Sequence, residues 1–150
     1  MSAEVISLDS NVVIAALDPD DVHHRQAVAF LDEKSVYPLL LPAACYAELL
    51  AGPEPELVKE FLALFRVHPV FSSLQNAAVW ELAAERYRLY AGNRKRSRAG
   101  APRRILTDFL VGAQALLQPG AGYRPALASF DGGVYQKYFG ELVLYDPAAG

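Results

Sequence analysis

Apolar residues along this chain gather in short, β-branched runs separated by stretches whose apolar positions recur at helical intervals. Strands are expected over residues 4–9, 36–41, 125–130 and 142–145. Helices are expected over 10–17, 21–33, 42–51, 56–65, 74–90 and 107–118. Short, mostly apolar strands alternating with helices predict an α/β domain, because a parallel strand needs a crossover connection and is buried on both faces. Pro42 suits the first turn of the helix after the second strand, where its missing N–H costs nothing, and Glu48 then falls on that helix's second turn. Thr107 suits the N-cap of the helix entered at Asp108, whose carboxylate the positive end of the helix dipole favours.

Charge breaks the pattern at one conspicuous place. In VISLDSNVVIAAL, residues 5–17, Asp9 separates a strand-like run from a helix-like one. Aspartate is almost never fully buried without a partner, since taking its charge out of water is costly. In an open parallel sheet ligands bind beyond the carboxyl ends of the strands, and that rule selects Asp9 and Asp131, each at the end of an expected strand. Glu48 and Asp108, one on the helix after the second strand and one at a later helix start, are placed to face the same edge. Four converging carboxylates raise one another's pKa and destabilise the fold unless cations offset the repulsion. An all-oxygen donor set favours a hard ion, Mg²⁺ or Mn²⁺, able to polarise a phosphate oxygen and activate a water.

Composition adds bounds. A chain of 150 residues, 53% hydrophobic and 21% charged, supports one core and is no disordered tail. The start has no basic n-region, so no signal peptide is expected. The longest apolar stretch, 36–47, is too short to span a bilayer and contains Pro38 and Pro42, so no membrane association is expected. Cys45 is the only cysteine, which excludes an intrachain disulfide and a cysteine-based zinc site and suits a cytoplasmic protein. Net charge is −3, yet Arg94, Lys95, Arg96, Arg98, Arg103 and Arg104 crowd one segment without an acid. Outside it eight basic residues face seventeen acidic ones, a net −9. An acidic body with one basic segment points to a polyanionic partner held by phosphate contacts.

These residues resemble a known family. VISLDSNVVIAAL, LPAACYAELLAG, RRILTDFLVGAQAL and LASFDGGVYQKYF are similar, in this order, to the blocks of PIN-domain ribonucleases, and most of all to VapC-type toxins of bacterial toxin–antitoxin pairs. The likeness spans nearly the whole chain, 1–150, read as a single PIN domain. It implies a five-stranded parallel sheet flanked by helices and metal-dependent endonucleolytic cleavage of RNA. Asp9, Glu48, Asp108 and Asp131 occupy the family's acidic positions, with Mg²⁺ or Mn²⁺ as the implied cofactor. Ser129 takes the place of the family's Ser or Thr two residues before the last Asp, while Ser129-Phe130 replaces the commoner Thr-Arg pair. A homodimer and a cognate antitoxin protein are the partners the resemblance implies, beside the RNA substrate.

Simpler roles stand beside these. Ser10 either N-caps the first helix or supports a ligand carboxylate, and Asn11 either orients a water or helps start the helix. Asp131 before Gly132-Gly133 also fits a turn. His23 and His24 are read as surface residues, Cys45 as a small core residue, and Trp80, Tyr87 and Tyr90 as core or dimer interface. Rival phosphate enzymes fit less well. A haloacid-dehalogenase-type phosphotransferase needs a second Asp where Asn11 stands, a receiver domain needs its phosphoacceptor after a middle strand, and Gly120-Ala121-Gly122 does not complete a dinucleotide-binding loop. The rival from another class is a PIN fold kept as an RNA-binding or regulatory module with little or no catalysis.

Overall fold

The first strand, β1 (Ala3–Leu8), becomes more buried along its length, and Val5, Ile6 and Leu8 are lost to solvent. That burial on both faces requires a layer of helices above and below the strand. In the computed structural model, which describes residues 3–96 and 105–149, β1 is the centre of a five-stranded, all-parallel sheet of order β3-β2-β1-β4-β5. The other strands are β2 (Leu39–Pro42), β3 (Val67–Val70), β4 (Tyr123–Ala128) and β5 (Val143–Tyr145). Seven helices connect them among the described residues: α1 (Ser10–Leu17), α2 (His24–Glu33), α3 (Ala43–Leu50), α4 (Pro55–Leu64), α5 (Ala77–Arg96), α6 (Leu106–Leu117) and α7 (Gly133–Tyr138). One apolar core joins strand residues such as Ile6, Leu41 and Leu127 to helix residues such as Val12, Leu31 and Phe109.

The α/β class and the five-stranded sheet agree with expectation, and several boundaries move. β2 starts at Leu39 rather than 36, because Lys34–Val36 form a 3-10 turn. β4 ends at Ala128, two residues before the expected 130, so Ser129 lies beyond the strand. β3 had no counterpart in the hydrophobic pattern. It is four residues long and contains Pro69, which a sheet tolerates at an edge where an N–H is not needed. The preceding α4 ends through Arg66 at φ 55°, a left-handed cap with no glycine to announce it. The six-residue α7 was likewise unmarked, since it opens on Gly132-Gly133.

The long α5 packs on α6. Tyr87 and Tyr90 meet Phe109 at 5.3 and 5.4 Å between ring centroids, which makes them core residues, whereas Trp80 is about half exposed with its indole N–H donating to the Leu74 carbonyl. Gly112 on α6 allows Phe139 to approach, because a Cβ there would stand 2.5 Å from the ring. α5 stays helical to Arg96, six residues past the expected end at 90, so Arg94 is exposed on a helix. Arg98, Arg103 and Arg104, expected in the same basic segment, lie outside the described residues, as do the side chains of Lys95 and Arg96.

Candidate active site

Chain order reverses around β1, which has β2 on one side and β4 on the other, and a crevice beyond the strand ends follows from that topology. Parallel pairing in the register Leu8 to Ala128 sets Asp9 beside Ser129, each one residue past the end of its own strand, and the Asp9 N–H donates to the Ala128 carbonyl at 2.9 Å. Asp9 is also the N-cap of α1, its Oδ1 accepting the Ser10 N–H at 2.9 Å. Ser10 therefore does not cap α1 as one reading of the sequence had it; it is the first helical residue, buried against the cleft.

The Ser129 hydroxyl donates to Asp9 Oδ2 at 2.9 Å and accepts both the Asn11 side-chain amide at 3.1 Å and the Asp131 N–H at 3.0 Å. Asn11 returns through its Oδ1, which accepts the Phe130 N–H at 3.2 Å. One hydroxyl thus uses its single proton and both lone pairs, tying the end of β1 to the loop that carries Asp131. On the opposite side, Thr107 is not the cap of α6. Ile105 holds that position, and the Asp108 carboxylate accepts the Ile105 N–H at 3.3 Å, reaching back over the first turn.

Asp9, Ser10, Asn11, Glu48, Asp108 and Asp131 line one small polar cavity of about 150 Å³, with Val134 and Tyr135 completing its wall. All four acids singled out from the sequence face the same cleft. Burial pushes the Asp9 carboxyl above its ordinary value of 3.8, its hydrogen bonds from Ser129, Ser10 and Tyr135 pull against that, and the charge of Asp108 adds to it. Glu48 is raised above 4.5, first by partial burial and then by the charges of Asp9 and Asp108. Among the described residues no three acidic, histidine or cysteine side chains are already drawn together as a cage for one ion. Asp9, Glu48, Asp108 and Asp131 nevertheless present their carboxylate oxygens to one cleft.

The PIN domain profile matches residues 6–139, from within β1 to the residue after α7. The chain belongs to the PIN domain family. No curated protein sequence matches it. Solved PIN-like structures do: a chain of FitAcB from Neisseria gonorrhoeae is 22% identical, with 96% of this chain and 99% of that one covered and a TM-score of 0.61. A chain of VapBC2 from Rickettsia felis, bound to a DNA fragment from their promoter, is 14% identical over 94% of this chain and 97% of that one, with a TM-score of 0.64. A chain of FitAB bound to an IR36 DNA fragment is 20% identical over 95% of each chain, with a TM-score of 0.60. At such identities the likeness is one of fold. PIN domains are generally nucleases that use divalent metal ions.

This PIN domain has further residues at the cleft that hydrophobic patterning did not single out. The Tyr135 hydroxyl donates to Asp9 Oδ2 at 3.3 Å, and burial beside Asp9 pushes its pKa up. Its position four residues after Asp131 in the same block was the available signal. The buried Cys45 thiol sits 3.8 Å from Asp9 Oδ1, held protonated by burial and the Asp9 charge, so it is a core residue as expected. Gln114 is buried on α6, where its Oε1 accepts the Ala43 N–H at 3.0 Å and its amide donates to the Val70 carbonyl at 2.8 Å and to Ser73 Oγ at 3.0 Å. One side chain thereby clamps the start of α3, which carries Glu48, to α6, which carries Asp108. A polar residue amid the apolar run of that helix was the clue.

The two histidines are not plain surface residues. His23 precedes α2, is half-buried, and stacks on Phe130 with ring centroids 4.4 Å apart and planes 12° from parallel. His24 is also half-buried, its Nδ1 2.9 Å from the Ala15 carbonyl oxygen. A local pattern read both as facing water, whereas the packing of α2 on α1 turns them inward.

Proposed function

We propose that this chain is a metal-dependent endoribonuclease, the toxin of a toxin–antitoxin pair, acting in the cytoplasm as a single domain over residues 1–150. The observation that carries the reading is the convergence of Asp9, Glu48, Asp108 and Asp131 on one polar cleft at the carboxyl ends of β1 and β4. The donor set fits Mg²⁺ or Mn²⁺ by its chemistry, all oxygen and all anionic, and the carboxyls of Asp9 and Glu48 are raised first by burial and further by neighbouring acids, a charge that a cation would offset. Bound there, such an ion supplies Lewis acidity and a more acidic water. Asp9, Glu48, Asp108 and Asp131 hold the ion and orient the attacking water toward a phosphodiester. Ser129, Asn11 and Ser10 keep Asp9 in a fixed rotamer. Arg94, Lys95, Arg96, Arg98, Arg103 and Arg104 hold the RNA backbone by charge.

Partners follow the same reading. The solved relatives are FitAB and VapBC complexes, which supports a cognate antitoxin as partner here, and a homodimer rests on the family resemblance alone. An apolar groove of about 450 Å³, lined by Ile14, Leu17, Leu49, Leu57 and Val58, also includes Glu48 and so adjoins the cleft. A partner segment seated in it would come up against the acids. No helix among the described residues is long and apolar enough to cross a membrane.

The test is cleavage of a panel of labelled structured and single-stranded RNAs by the wild type and by Asp9→Asn, with Mg²⁺, Mn²⁺ or excess chelator. Wild-type cleavage abolished by chelator is expected, with Asp9→Asn at least about a hundredfold slower, since a lost ion ligand removes several kcal/mol of transition-state stabilisation. An unchanged rate in Asp9→Asn sinks the assignment. RNA that binds without being cut under any of these conditions, by a folded protein, favours the non-catalytic binding module. Neutralising Arg94, Lys95, Arg96 and Arg98 together is expected to weaken RNA binding and flatten its dependence on salt. A salt slope identical to the wild type's removes this segment from the RNA site.

A further inference from the structure

We propose that the Tyr135 hydroxyl competes with the divalent cation for Asp9, so that loading the cleft requires this tyrosine to release its hydrogen bond. The inference deepens the metal-dependent reading above and rests on it. A carboxylate offers about four lone-pair positions, two on each oxygen. In Asp9 all four meet a donor: the Ser10 N–H at 2.9 Å and the Cys45 thiol at 3.8 Å on Oδ1, the Ser129 hydroxyl at 2.9 Å and the Tyr135 hydroxyl at 3.3 Å on Oδ2. An ion ligated directly by Asp9 must therefore displace one of them.

The four donors are not equally displaceable. The Ser10 N–H belongs to the first turn of α1 and cannot turn away without unwinding it. Rotating Ser129 would break three hydrogen bonds at once, because its oxygen also accepts from Asn11 and from the Asp131 N–H. Cys45 is fully buried and does not line the cleft, so an ion entering from solvent does not meet it. Tyr135 does line the cleft, and at 3.3 Å its bond is longer than the usual O–H···O range. Its ring is packed in the core, 6.3 Å from that of Phe139, so only the hydroxyl contact has to give way. Tyr135 thus holds Asp9 in place before the ion arrives and lowers the affinity of the site by the strength of one hydrogen bond.

Two measurements on the full chain at pH 8 decide this. Calorimetric titration with Mn²⁺ is expected to show Tyr135→Phe binding about tenfold to a hundredfold more tightly than the wild type, the range that one hydrogen bond to a charged carboxylate spans. Titration of the wild type with Mg²⁺ is expected to give a tyrosine ultraviolet difference spectrum that Tyr135→Phe lacks. Equal or weaker Mn²⁺ binding by Tyr135→Phe, or a difference spectrum common to both proteins, overturns the competition while leaving the metal-dependent nuclease standing. Absence of Mn²⁺ binding in both proteins overturns the metal reading and this inference with it.

Discussion

The two walls of the cleft are built differently. On the β1–β4 wall Asp9 receives four donors and Ser129 exhausts its hydrogen-bonding capacity, so the end of β1 is tied to the loop after β4. On the helical wall Glu48 is exposed on α3, and Asp108 is held by one 3.3 Å bond from its own helix end. The first wall is fixed before any ligand arrives, whereas the second can shift its carboxylates to complete an ion's surroundings. Gln114 ties the helices of the second wall to each other and to the end of β3.

The largest effect that would break this comparison comes from Ser129→Ala. It leaves Asp9 Oδ2, the Asn11 amide and the Asp131 N–H each short of a partner, and a loss of roughly 1–3 kcal/mol is expected in denaturant unfolding. Glu48→Ala on the other wall is expected to change stability by no more than about 0.5 kcal/mol, as for an exposed side chain. Equal losses in the two variants would mean that both walls are preorganised.

A smaller effect separates the cleft from the surface through pH. Asp9 and Glu48 have folded-state pKa values above the 3.8 and 4.5 of the unfolded chain, so the native state holds more protons in that window and stability falls as pH rises through it. Glu141 behaves oppositely. Its hydrogen bonds from the Arg86 guanidinium, at 2.6 and 2.9 Å, lower it from 4.5 to about 2. Its contribution is present above 4.5 and is lost as pH falls toward 2. Melting temperature followed against pH should lose part of its falling limb in the double variant Asp9→Asn, Glu48→Gln and part of its rising limb in Glu141→Gln. If the double variant keeps the falling limb unchanged, the cleft does not raise the carboxyls of Asp9 and Glu48 in the folded protein.

Much of this was legible in the chain. The alternation of strand and helix runs, the two carboxylates at strand ends and the two on helices were visible in local periodicity, because each signal lies within one element. By itself the sequence determined an α/β domain with four acids placed to meet and one crowded basic segment. It did not determine β3, whose four residues and Pro69 carry no strand pattern, nor α7, which opens on two glycines. Nor could it say that Ser129 meets Asp9 across 120 positions of sequence, that Tyr135 meets Asp9 across 126, or that His23 stacks on Phe130. Those contacts were decided only by tertiary structure. The physical reason is that the parallel register of β1 on β4 brings their ends together, and a register is a property of two strands that neither strand's own sequence contains.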